Sequence, residues 1–391
     1  MKFFAFPAII MGCHTVTLSA LLYNRLGTTS PFFFSSEVDA LSALFNATDG
    51  IHWDWRNSSY GVKWNFSFID QGNPCADNST GILAVWQGVC CDNKPQFCSD
   101  NFCHVVDLSL DSYNLRGSLP TQLGQLLELQ SISMSNNSLT GFLPTEIGFL
   151  GSLSGMFLDF NLISGSIPSE IGMLSSLTFL IMQNNLIRGS IPYEIGRLVN
   201  LKNLELSYNS ISGSFPTSIG NMQSLELVFI INNRLQGPFI PEICKLSKLS
   251  ILGLMFNDIT GTLPTDVSKL QSLKSIYMRF NKLSGTIPIE FFEIKTLERI
   301  GLLHNKFVGT VPWQIENQIN LQVILLNNNF LTGQIPSGLH KLTNVQVISM
   351  HYNFFTGTIS PSLGSVHLLQ RLNLQSNLLS GTIHVGLYLF M

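Results

Sequence analysis

Ile132–Leu150 reads I-S-M-S-N-N-S-L-T-G-F-L-P-T-E-I-G-F-L, and 24 residues further on Met156–Leu174 reads M-F-L-D-F-N-L-I-S-G-S-I-P-S-E-I-G-M-L. Ile132, Met134, Asn137, Leu139, Gly141, Leu143, Pro144, Ile147 and Leu150 each meet a counterpart of their own kind. The same step runs from Leu108 to Ile383 with no net insertion. Its glycine stands in all twelve copies, Gly117 to Gly381. Its asparagine stands in eleven, Asn137 to Asn377, with Tyr113 at the first. Proline keeps register in nine copies, moves by one at Pro241 and Pro361, and gives way to His384 in the last. A fixed period of this length marks a solenoid.

Each repeated position has a physical role. The alternation I-x-M or L-x-L puts two apolar side chains on one face of a short strand and turns the residues between them outward. The Asn amide, with two donors and one acceptor oxygen, suits backbone groups that turn inward as the chain leaves the strand. Glycine allows a corner where a Cβ would clash. Proline, lacking an N–H, ends the next extended piece. One copy cannot bury its apolar face, but a stack shares a continuous core. With strands about 4.8 Å apart, twelve copies make a body roughly 50 Å long.

The stack also accounts for the composition. Of 391 residues only 12% are charged and 45% are apolar, and mean hydropathy is +0.27. Such values suit a membrane protein. After the first two dozen residues, however, no apolar run approaches the eighteen or so that a bilayer requires. Net charge is −3 and there is no basic cluster, so nucleic acid is a poor partner.

Lys2 precedes a stretch, Phe3 to Leu22, with no acidic or basic residue except His14. Residues 1–22 read as a secretory signal peptide or, failing cleavage, a signal anchor. Five cysteines, Cys75, Cys90, Cys91, Cys98 and Cys103, crowd into 29 residues upstream of the repeats, a density typical of a disulfide-stapled unit. Asn46, Asn57, Asn65, Asn78 and Asn136 carry the glycosylation sequon. These features place the chain in the secretory route, secreted or at the cell surface. Cys244 stands some six repeats from the cap cysteines, too far to bridge to them, and is expected to be a buried free thiol.

The consensus L-x-x-L-x-L-x-x-N-x-L-x-G-x-I-P-x-x-I-G-x-L resembles the plant-type leucine-rich repeat of receptor-like kinases, receptor-like proteins and polygalacturonase inhibitors. Gly165-Ser166-Ile167-Pro168 carries the distinguishing G-x-I-P. The resemblance implies a mostly β, α/β solenoid: a right-handed superhelix of twelve 24-residue repeats with a disulfide-bonded N-terminal cap. Residues 36–104 form the cap, 105–383 the repeats, and 384–391 a truncated or atypical end. The run Trp86-Gln87-Gly88-Val89-Cys90-Cys91 looks like the family's cap motif, which implies that Cys75 bonds Cys91.

No phosphate-cradling loop, zinc-protease motif or nucleophile elbow occurs, so no enzyme or cofactor is expected. Asn at the ladder position reads as structural. So do Phe160, Tyr208, Phe256, Phe280 and Tyr352, one place before it, as a stacked row. His304 and His351 read as solvated polar side chains. What remains is the outward face of the strands, the usual contact surface of a solenoid. There the candidate binding residues are Phe157, Phe179, Ile181, Glu205, Phe229, Ile231, Met255, Tyr277, Arg279 and Leu303; aromatic and apolar clusters with interspersed charge mark interaction sites. The competing reading is that they only pack sideways along the sheet. The expected function is non-enzymatic extracellular recognition, receptor-like, of a peptide, a glycan or a protein partner, with a membrane co-receptor as a further partner. The alternatives are a secreted inhibitor of a cell-wall hydrolase and a structural wall or matrix protein.

Overall fold

The computed structural model describes residues 35–56, 63–64, 87, 89–91 and 104–387. In all but the first copy, the first apolar residue of L-x-L is the centre of a three-residue strand and is buried, as at Ser131–Ser133, Phe179–Ile181 and Val323–Leu325. Twelve such strands lie parallel in sequence order. A thirteenth, β1 (Val89–Cys91), joins the upstream edge antiparallel to β2 (Val105–Ser109). Among the twelve, pairing repeats the sequence step: Ser131 lies beside Gly155, Ile132 beside Met156 and Ser133 beside Phe157.

The ladder asparagines stitch neighbouring coils. Asn161 Oδ1 accepts the Leu139 N–H at 2.9 Å, and Nδ2 donates to the Met134 and Leu158 carbonyls at 2.9 and 3.1 Å. Two of those partners belong to the preceding repeat, so losing one amide opens a joint between coils. All twelve template glycines have φ between +74° and +102°. Past them the chain forms short strands on a second side, in two five-stranded sheets and one pair. The proline then leads into a 3-10 turn, as Pro144 does at Thr145–Phe149 and Pro288 at Ile289–Glu293. Each turn buries the template isoleucine position, and one apolar core runs from end to end.

Upstream, α1 (Ser35–Ala47) buries Ala40, Leu41 and Leu44 and packs on the first 3-10 turn, Thr121–Gln125. Phe45, Trp53, Trp55 and Trp64 cluster beside it, with Trp53 and Trp64 rings 4.9 Å apart. Both of those indole N–H groups are satisfied, by the Thr48 and Gln87 carbonyls at 2.9 Å. The end of the solenoid thus receives an aromatic cover. Cys244 is free and fully buried, and its burial pushes the thiol up to about 12.

Two structural features add detail to the sequence reading. The turn pattern continues past Ile383: Val385–Leu387 form another 3-10 turn, and Leu387, at the template isoleucine position, is buried. The row one place before the ladder asparagine is also less uniform than its regularity suggests. Phe256, Phe280 and His304 stack at 4.5 and 4.2 Å, whereas Phe160 and Tyr208 touch no ring among the described residues. What unites the row is backbone conformation: Asn136, Phe160, Asn184, Tyr208, Asn232, Phe256, Phe280, His304, Asn328 and Tyr352 all have φ from +51° to +56°. Residues 1–22, Cys75 and the sequons at Asn57, Asn65 and Asn78 lie outside the described residues, as does the side chain of Cys91. Asn46 and Asn136 are exposed.

Candidate ligand-binding face

Three outward positions per repeat, two on the strand and one at its exit, line the concave side. The ten candidate residues are all half-buried there, and pairing brings most of them together. Phe157 lies beside Ile181, Ile181 beside Glu205, and Glu205 beside Phe229. The Phe157 and Phe179 rings stack at 6.1 Å.

Glycines absent from the candidate set decide how the rings sit. A Cβ on Gly253 would lie 2.2 Å from the Phe229 ring and one on Gly301 3.3 Å from the Tyr277 ring. Phe229 and Tyr277 therefore lean over the next strand into space that its residue leaves vacant. Both rings thus pack sideways along the sheet, and both stay partly open to the concave side. The signal was present in the sequence as a Gly 24 residues after each aromatic.

The polar groups have a different layout. Ser133 donates its hydroxyl to Asp111 at 2.7 Å, and Ser135 donates to Asp159 at 2.6 Å. Burial raises the Asp107 and Asp159 carboxyls above the usual range, against the opposing hydrogen bonds from Ser109 and Ser135. Burial and then the Asp159 charge hold the Glu205 carboxyl up at about 7. No group of three or more His, Cys, Asp or Glu that could hold a metal occurs among the described residues. Nor is any helix there long and apolar enough to cross a membrane.

A second regular surface lies around the template glycine. Thr260 and Thr262, Thr286, Thr310 and Thr332, and Thr356 and Thr358 are exposed beside it. The methyls of Thr262, Thr286 and Thr310 lie against the glycine of the following repeat: a Cβ on Gly285, Gly309 or Gly333 would approach them to 2.6–2.9 Å.

With repeat, ladder and capped core in view, comparison with known proteins decides the family. The Leucine Rich Repeat model matches residues 128–150, 200–222, 272–294 and 320–342. It is a leucine-rich repeat protein. Of the curated proteins, a probable leucine-rich repeat receptor-like protein kinase of Arabidopsis thaliana is 30% identical over 115 residues, 29% of this chain and 9% of the kinase. The plant peptide hormone receptor RGFR1, solved in complex with RGF2, is 35% identical with a TM-score of 0.67, over 68% of this chain and 43% of the receptor. A plant ice-binding protein is 25% identical with a TM-score of 0.60, over 78% of this chain and 89% of its own. The leucine-rich repeat chain thus spans less than half the length of the receptor and a small part of the kinase.

Proposed function

We propose that this leucine-rich repeat chain is the ligand-recognition part of an extracellular receptor-like protein and holds a peptide along its concave face. The observation that carries the reading is the band from Phe157 to Arg279. There half-buried aromatic and aliphatic side chains lie in register across consecutive strands, with Glu205 and Arg279 among them. Aromatic and Arg side chains in a partly desolvated centre supply most of the binding energy of known interfaces, about 2 kcal/mol or more each. The likeness to a peptide hormone receptor supports a peptide over a glycan. An exposed Asn136 at the rim of repeat 2, if glycosylated, would steer the ligand toward the later repeats. On this reading the chain performs no catalytic step.

The test is retention of extracellular peptides by the immobilised chain, read by mass spectrometry. A Phe229→Ser, Arg279→Ser variant with unchanged circular dichroism should lose the peptides that the parent retains. Equal retention by the two would contradict the reading.

A second reading has its own observation. Exposed threonines beside the glycine corner, with Thr262, Thr286 and Thr310 on three consecutive coils, form a hydroxyl-and-methyl surface, and the likeness to an ice-binding protein covers most of that protein. Neighbouring strands about 4.8 Å apart would present these hydroxyls at an even spacing. Thermal hysteresis that disappears in a Thr286→Lys, Thr310→Lys variant would favour it; none in the parent would dismiss it.

A further inference from the structure

The outward concave positions are segregated by charge. From repeat 1 to repeat 5 the ionisable side chains there are Asp107, Asp111, Asp159 and Glu205, with no base among them. From repeat 8 to repeat 12 they are Arg279, Arg299 and Arg371, with His351 in line and His304 at the adjoining position, and no carboxylate. Repeats 6 and 7 between them present only Phe229, Ile231, Met255 and other uncharged residues.

Arg279 stands apart among these arginines: it is half-buried, whereas Arg371, which also joins no ion pair among the described residues, is exposed. The Arg279 guanidinium lies 5.3 Å from the centre of the Phe256 ring and joins no ion pair among the described residues, and its Nε is buried without a hydrogen-bond partner. A buried donor left unpaired is costly, so a ligand oxygen that reached it would gain more than at an exposed arginine. Arg299, by contrast, already has Gln322 at 2.9 Å and Glu298 at 3.6 Å. From Arg279 to His351 is three strand spacings, about 14 Å, the reach of four or five residues of extended chain.

We propose that the strip from Arg279 through His304 to His351 is a docking track for an acidic peptide segment, and that its grip tightens as the surroundings acidify. The proposal rests on the concave-face reading above and adds the charge of the ligand and the conditions under which it is held. His304 stacks on Phe280 at 4.2 Å and faces Arg279 from repeat 8, with Asn327 and Asn328 on its other side. The Nδ1 of His351 is 2.9 Å from the Ser349 hydroxyl, with Tyr352 at 5.3 Å; His304 is the charge that acts on it, and Gln375 follows in repeat 12. Burial lowers the proton affinity of both rings, and the neighbouring positive charge lowers it further. Both rings therefore release their proton more readily than a free imidazole and gain charge as the pH falls. Carboxylates laid along the strip favour the charged rings, so binding takes up protons and affinity rises as the pH falls. The rise ends near about pH 4, where Asp side chains of the ligand become protonated.

Fluorescein-labelled hexa-aspartate, followed by anisotropy at constant ionic strength, tests this. The parent chain should bind about tenfold more tightly at about pH 5.5 than at about pH 7.5. A His304→Asn, His351→Asn variant adopts residues that other repeats carry at the same two positions, so it keeps the fold. Its affinity should change less than about threefold over the same range, while Arg279→Gln should weaken binding at both values. No binding by the parent at the lower pH, or an undiminished pH response in the double histidine variant, would overturn the proposal. So would displacement of the probe by an equal charge concentration of inorganic phosphate, which would mark a site for free anions. Phe229→Ser separates the two readings: equal retention of the parent's peptides by this variant refutes the concave face, whereas loss of those peptides in the variant together with failed hexa-aspartate binding by the parent refutes only the acidic track.

Discussion

At the scale of single residues, the ladder amides and the buried carboxylates have opposite effects on stability. Asn233 receives the Ile211 N–H at 2.9 Å and donates to the Leu206 and Ile231 carbonyls at 3.0 and 3.2 Å. Asn233→Leu leaves those inward groups unpaired and should cost about 1–3 kcal/mol, read as a lower midpoint in chemical denaturation with circular dichroism otherwise unchanged. Glu205 works the other way. Its carboxyl is held at about 7 against an ordinary 4.5, so the folded state disfavours its charge. Its contribution is fully present below pH 4.5 and is lost as pH rises through 7. Glu205→Gln should therefore raise stability by roughly 1 kcal/mol at about pH 8, allowing for partial solvent screening, and leave it unchanged near pH 4.5. A gain of equal size at both pH values would show that packing, not charge, is responsible. The ladder was legible because one residue type recurs at one spacing. The row before it was legible only as a row: Asn tolerates a left-handed backbone and so hints at it, but Phe160, Tyr208 and Phe280 conceal the shared conformation behind their bulk.

At the scale of elements, each coil turns on its glycine. Gly333 has φ +76°, and a Cβ there would lie 2.7 Å from the Thr310 methyl of the preceding coil. Gly333→Ala should therefore cost about 1–2 kcal/mol from backbone conformation alone, with more from the clash, measured as a fall in thermal midpoint. A neutral result would mean that the corner can move away from the threonine row. The concave strands, their register and the buried side of each turn follow directly from the 24-residue step, because apolar alternation and burial are the same constraint seen twice. The second-side sheets were less legible: their strands are two to five residues long, and their outward residues change from Thr140 to Arg188 to Val308 with no apolar period to reveal them. The seating of Phe229 over Gly253 depends on two residues in different coils and becomes apparent only once the strands are set side by side.

At the scale of the whole molecule, a continuous core and an aromatic cover over its upstream end hold a concave sheet whose charges are separated by half. The sequence places every one of those charges. Their segregation is nevertheless a property of the stack, because acids and bases that lie scattered along 391 residues fall into two groups only when one outward column is read from end to end. The central claim is that a ligand occupies this face. A photo-crosslinking residue at Tyr277 on the concave side, at Val308 beside the glycine corner, or at Phe149 on the 3-10 turn side tests it most directly. Peptides retained by the parent should crosslink to the Tyr277 variant and not to the other two. Crosslinking at Val308 or Phe149 with none at Tyr277 would contradict the account.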